Sequence, residues 1–288
     1  MRLSLIHIYS HARRAGECDL APGGAAFCAL WPGSRLPHCR HRLRQRRDHL
    51  LSLIHISQPF LDAFAAAAAA AAQWPAGSLT AIYDATEAGG LEKLAKPDAA
   101  LAFVPYPFYV EHAAALHLAP LVQADVTDVG VQQRWTLVAK KGKVSAPAAM
   151  LGYTILSIAG YAPDFVRRFA LAGWGLPADV KITQASQVLS ALRRAVGGEP
   201  VAVLLDATQT SALASLPFAG DLQSVTQSAP LPTAILAVVD ARLSQARADS
   251  LRAALLSLGK SAPGADVLAN LRLQRFVTPQ LPIHAAQP

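Results

Sequence analysis

Three stretches rich in branched and aromatic residues are apolar without interruption: residues 99–104 (AALAFV), 201–205 (VAVLL) and 234–239 (AILAVV). Runs of this length with no polar alternation suit strands buried on both faces, as in sheets flanked by helices. Between them the period changes to that of helices. Residues 58–73 begin with Pro59 and continue through an alanine-rich, strongly helix-forming block. Residues 186–196 set Val188, Leu189, Leu192 and Val196 on one face and stop at Gly197-Gly198. Residues 161–172 carry Pro163 in a first turn and an apolar stripe of Phe165, Val166, Phe169 and Leu171. Leu251, Leu255 and Leu258 mark a further inward face along 243–258, and shorter helices are expected at 107–116 and 207–213. Shorter strands are expected at 78–83, 118–123, 134–139, 150–158, 180–183 and 222–226. This alternation predicts an α/β fold with mixed, mostly parallel sheets flanked by helices. No apolar run is long enough to cross a membrane, and Asp62 argues against a signal-peptide core at 63–72.

The chain has 288 residues, 52% of them hydrophobic and 16% charged, which excludes a disordered polyelectrolyte. Its net charge of +7 is unevenly placed. Residues 1–57 hold nine Arg against Glu17, Asp19 and Asp48, a net of +6, while the remaining 17 basic and 16 acidic groups leave the body at +1. Cys18, Cys28 and Cys39 and six of the nine histidines also lie in that first part.

One hexapeptide, LSLIHI, occurs at both 3–8 and 51–56 with nothing similar between the copies, which no solenoid or blade period explains. It resembles the in-frame translation of a transposase mosaic-end sequencing adapter. Residues 1–57 as a whole resemble adapter-derived or misjoined sequence, and are expected to be non-native or disordered and not to pack on the body. The run 40–47 (RHRLRQRR) lacks interleaved aromatics and a recognition fold, so no nucleic-acid partner is expected. Cys18, Cys28, Cys39, His38 and His41 lack the short cysteine spacing of zinc knuckles, so no metal is expected.

The segments DAALAFVPYPFYVEH, RWTLVAKKGKV, GYAPDFVRRF, LSALRRAVGGEPVAVLLD and SAPLPTAILAVVD, in that order, give the body its resemblance to a known family. It resembles the type 2 periplasmic solute-binding proteins, of the phosphate/phosphonate (PhnD-like) substrate-binding kind used by ABC transporters. The resemblance implies two α/β lobes joined by crossing strands with ligand held between them. Lobe I would comprise about 58–133 plus 233–288, and lobe II about 136–228. It also implies a monomeric, periplasmic receptor for a small molecule, serving an ABC permease and needing no cofactor. The family opens with a strand and ligand loop ahead of the helix matching 58–73; here LSLIHIS stands in that place, so lobe I's N-terminal strand is expected to be missing.

In such folds ligands meet the turns between strand ends and helix starts, where unpaired N–H groups favour oxyanions. The candidate ligand-binding residues are Tyr83, Asp84, Thr86, Tyr106, Phe108, Ser157, Tyr161, Asp206 and Thr208, with Ser228 on the return segment. Thr208 and Ser157 equally suit helix caps, and Tyr106 a core position. No Arg or Lys occupies these turns, so a strong phosphate clamp is not evident, and Asp84 and Asp206 would suit a cationic amine. His112, His117 and His284 have no Ser or Cys partner in a recognisable motif, and no nucleophile elbow, P-loop or HExxH occurs. Catalytic residues are therefore not expected, and binding outranks catalysis. The expected function is capture of a small ligand, such as phosphate or phosphonate, for an ABC transporter. The alternatives are a domain that feeds a sensor kinase or a regulator, and, behind it, a small-molecule enzyme on the same fold. A one-component regulator would need an upstream helix-turn-helix, for which residues 1–57 offer no pattern.

Overall fold

The protein is described by a computed structural model covering residues 1–6 and 58–282. In chain order the elements begin with β1 (Arg2–Ile6), α1 (Gln58–Ala71), β2 (Thr80–Asp84), α2 (Glu87–Leu94), β3 (Ala99–Pro105), α3 (Tyr106–His112) and β4 (Leu118–Val126). After a short β5 (Gln132–Gln133) come β6 (Thr136–Lys140), β7 (Thr154–Ser157), α4 (Pro163–Phe165), β8 (Lys181–Gln184), α5 (Val188–Gly197), β9 (Val201–Leu205), α6 (Ala207–Leu213) and β10 (Leu222–Gln227). The chain then returns through β11 (Leu231–Pro232) to β12 (Ala234–Val239), α7 (Gln245–Leu258), α8 (Ala262–Asn270) and β13 (Leu273–Val277).

Two sheets carry the architecture. The first has the order β13-β4-β12-β3-β1-β2 and the second β10-β6-β9-β7-β8. Both are mixed, with four of nine pairings parallel, a smaller share than the strand–helix alternation suggested. The reason is the double crossing. β12 re-enters the first sheet from the second lobe and therefore runs against both β3 and β4. The three uninterrupted apolar runs became β3, β9 and β12, with almost every residue buried.

The expectation that residues 1–57 stay off the body fails at its first residues. Arg2–Ile6 lies between β2 and β3, parallel to both, in the strand position expected to be missing. Arg2 N–H donates to the Asp98 carbonyl at 2.7 Å and Thr80 N–H to that of Met1 at 3.1 Å. Leu3, 1% exposed, joins the core of Leu61, Phe64, Leu101 and Phe276. The physical reason is that β2 and β3 each present a ladder edge that needs a partner, and the alternating LSLI pattern supplies one. The Arg-rich run, the Cys and His set and the second hexapeptide copy lie outside the described residues.

The two lobes are joined by a short ribbon. Gln132 and Gln133 of β5 pair with Pro232 and Leu231 of β11. Just beyond it, Trp135 N–H donates to Ser228 Oγ at 2.9 Å, and Ser228 N–H to the Trp135 carbonyl at 2.9 Å. On the lobe I side, Thr233 Oγ1 donates to the Gly130 carbonyl at 3.0 Å.

Candidate functional site

On lobe I, β2 ends at Asp84 and α2 starts after Thr86. Thr86 is the helix cap, accepting from Gly89 N–H at 3.1 Å. Asp84 accepts from both the amide and the hydroxyl of Thr86 at 2.8 Å and pairs with Lys93. Gly89 has no room for a Cβ because the Asp84 carboxylate lies against it. Burial opposes ionisation of Asp84, but the Lys93 and Thr86 bonds outweigh it and hold the carboxyl below its ordinary range. The amine that Asp84 receives is the chain's own Lys93. Beside it, burial and then the Asp84 charge push the half-buried Tyr83 hydroxyl up.

The turn after β3 is different. Pro105 precedes α3 without a side-chain cap, and Pro107 follows inside the first turn. Tyr106 is fully buried, stacked on Tyr109 at 6.2 Å and edge-on to Phe165 and Phe169 at 6.0 Å. Trp135 meets the same Phe165 at 5.2 Å. Phe165 and Phe169 belong to lobe II, in α4 and the π-helical turn Val166–Ala170 that continues it. This aromatic cluster therefore spans the junction of the lobes. Within it the Tyr106 hydroxyl and the Trp135 Nε1–H are buried and unpartnered among the described residues. Burial pushes the Tyr106 hydroxyl far up, so it remains a neutral donor. Phe108 points elsewhere, into the core, with its ring 4.5 Å from that of His112.

On lobe II, Ser157 is a tie between strands, its hydroxyl donating to the Leu204 carbonyl at 2.9 Å and accepting from Ala159 N–H at 3.1 Å. Gly160 follows where the Thr183 backbone leaves no space for a Cβ. Asp206, 6% exposed, caps α6 in a reciprocal box: it accepts from Gln209 N–H at 2.7 Å, while Gln209 Oε1 accepts from Asp206 N–H at 3.2 Å. Burial pushes its carboxyl up to about 6, against the lowering effect of the Gln209 and Thr208 amides. Thr208 is exposed on α6, and Ser228 is the buried tie of the crossing ribbon. Of the ten candidates, Asp84, Thr86, Ser157, Asp206 and Ser228 thus have structural partners and Phe108 faces the core.

The lobes also meet through groups absent from the sequence-based candidates. Asp164 N–H, at the start of α4, donates to Glu111 Oε2 of α3 at 3.2 Å. His112 Nε2 lies 2.8 Å from Glu87 Oε1. Burial pushes the half-buried Tyr161 hydroxyl of lobe II well up, with the Glu87 and Glu111 carboxylates of lobe I adding to it. Nothing in the local pattern marks Glu87 or Glu111, since a glutamate in a short helix is by default a solvated charge. Trp135 does carry a local signal, a tryptophan just ahead of the crossing strand.

A hollow of about 430 Å³ lies at the other end of lobe I, lined by His117, Pro120, Leu121, Asp240 and Arg252, away from these turns. No cluster of His, Cys, Asp and Glu among the described residues fits a metal ion. No helix among them is long and apolar enough to cross a membrane.

No protein-family model matches the chain, and no curated protein matches it in sequence. Solved structures do. One is XAC2383 from Xanthomonas citri bound to ATP, 13% identical, with a TM-score of 0.59 over 77% of this chain and 87% of that one. Another is a binding protein component of an ABC phosphonate transporter from Pseudomonas aeruginosa, 16% identical, with a TM-score of 0.51 over 77% of this chain and 78% of that one. At these identities the likeness shows the fold alone: an α/β protein with two mixed sheets flanked by helices, as in these binding proteins.

Proposed function

We propose that this chain is an extracytoplasmic solute-binding receptor that closes its two lobes on a small molecule and delivers it to an ABC permease. The observation that carries the reading is the pair of buried, unpartnered donors, Tyr106 hydroxyl and Trp135 Nε1–H, in the aromatic cluster where the lobes meet. Buried polar groups are nearly always hydrogen-bonded, and leaving one bare costs about 1–3 kcal/mol. A ligand acceptor entering between the lobes would relieve both. The charged side chains nearby are of both signs: Glu87, Glu111 and Asp164 at the junction with Lys93 held by Asp84, and Arg168 over the Phe169 ring and Arg134 on the Ser228 carbonyl. This mixture suits a zwitterion, an acid group towards Tyr106 and Trp135 and an amine towards the carboxylates, of which an aminoalkylphosphonate is one form.

The test is differential scanning fluorimetry of the full chain with aminoalkylphosphonates, amino acids, inorganic phosphate and ATP, for wild type and Tyr106→Phe. A zwitterion at about 100 times its Kd is expected to stabilise the protein by about 2.7 kcal/mol. Tyr106→Phe is expected to weaken that binding about tenfold, the loss of one hydrogen bond of about 1.4 kcal/mol. Turnover of any probe, or no stabilisation by any of them, overturns the reading.

A further inference from the structure

We propose that Glu111 is a proton-sensitive latch between the lobes, so that mild acid strengthens closure. The inference rests on the two-lobe reading above but needs no ligand.

Glu111 belongs to α3 of lobe I, yet its carboxylate accepts the Asp164 N–H of lobe II at 3.2 Å. It is hydrogen-bonded to the start of α4, the helix whose Phe165 also packs on the Tyr106 ring of lobe I. The groups around it come from every element packed there. From α2 comes Glu87, and from α3 itself His112, which lies on Glu87 at 2.8 Å. From lobe II come Tyr161 and the Asp164 carboxylate, the latter 3.6 Å from Arg168 on its own helix. Three carboxylates and a tyrosine thus gather around His112 and Arg168, each of which already has a carboxylate partner.

The sign follows from what closure changes. Closing the lobes gives Glu111 one amide donor, which favours the charged form. It also strips water from the carboxylate and brings the Asp164 charge near, and both favour the neutral form. Burial is the largest influence and Glu111 ends above the ordinary glutamate range, with Asp164 and Glu87 pushing the same way and the Asp164 amide and His112 against. Opening returns it to water. The closed form therefore binds the proton more tightly, and by linkage each proton taken up favours closure. A protonated Glu111 still offers its carbonyl oxygen to the Asp164 amide, so the latch survives while the repulsion is removed.

The experiment is hydrogen exchange of the Asp164 amide in the ligand-free full chain between pH 7.5 and 4.5, each rate corrected for the intrinsic pH dependence. Wild type is expected to gain protection as the pH falls, by up to about tenfold for each pH unit by which closure displaces the carboxyl. Glu111→Gln is expected to hold the acid level of protection at every pH, because the amide keeps the acceptor without the charge. Asp206→Asn removes another carboxyl that burial pushes up but that is not a partner of the Asp164 amide, and is expected to leave the wild-type response intact. Protection that is flat with pH in wild type, or a pH response retained in Glu111→Gln, overturns the proposal. Ligand stabilisation measured at one fixed pH is independent of this readout, so failure of the latch and failure of solute capture are told apart.

Discussion

The turns after β3 and β9 start from the same local premise and end with opposite chemistry. Each follows a strand that is buried along its length, and each opens a seven-residue helix. On lobe II the polar group at the turn is Asp206, and it is satisfied from within: the Gln209 amide donates to it and the Gln209 side chain returns the bond. On lobe I the turn is Pro-Tyr-Pro, no side chain caps the helix, and the polar atom, the Tyr106 hydroxyl, is buried among rings without a partner. A capped turn stabilises its own lobe and asks nothing of a visitor. A turn with an orphan donor is less stable alone and is improved by whatever acceptor enters. A strand-end turn is therefore a place for a ligand only when its own polar groups have been left unsatisfied.

Three substitutions sharpen or break this contrast. Phe165→Ala should have the largest effect. Its ring is fully buried and packs on both Tyr106 and Trp135, so truncation should cost about 3–5 kcal/mol in urea unfolding. A loss below about 1 kcal/mol would mean that the aromatic cluster does not hold the lobes together.

The next effect is on pH dependence. The folded Asp206 carboxyl, at about 6, sits above its unfolded value of 3.8, so the folded state binds the proton more tightly. Its contribution is fully present below the unfolded value and is lost as the pH rises through about 6, and a displacement of about two units corresponds to about 3 kcal/mol. Urea unfolding should show stability falling across that window, and Asp206→Asn, which keeps a capping side chain, should flatten the slope. An unchanged slope would mean that another group titrates there.

Tyr106→Phe should be the smallest and opposite in sign. It deletes a buried hydroxyl with no partner, so unliganded stability should stay the same or rise by about 1 kcal/mol. A clear loss would show that the hydroxyl has a partner in the ligand-free protein and that the two turns are alike.

Much of the fold was legible along the chain. Residues 234–239 form the strand expected, and β3 and β9 fall on their apolar runs, because a side chain with no polar alternative leaves burial on both faces as the only favourable environment. Boundaries set by packing were less legible. The helix expected at 161–172 is α-helical only over Pro163–Phe165 before it widens into the π turn, and the strand expected at 150–158 shrinks to Thr154–Ser157 behind a 3-10 turn. The candidate turns were legible as strand ends meeting helix starts, but the duty of each side chain was not, because a serine that ties β7 to β9 and a serine that touches a ligand look identical in sequence.

The sequence by itself determined which segments are buried strands and where helices begin. These follow from hydrophobic period, proline placement and glycine stops, all properties of neighbouring residues. The tertiary structure alone decided that Arg2–Ile6 enters the sheet between β2 and β3, since the same hexapeptide from Leu3 onward also occurs at 51–56 and only an open ladder edge selects a partner. It alone set Glu111 against the Asp164 amide and left Tyr106 and Trp135 bare beside Phe165. Those contacts join residues far apart in the chain, and hydrogen-bond satisfaction and charge proximity are properties of three-dimensional neighbours that no local pattern encodes.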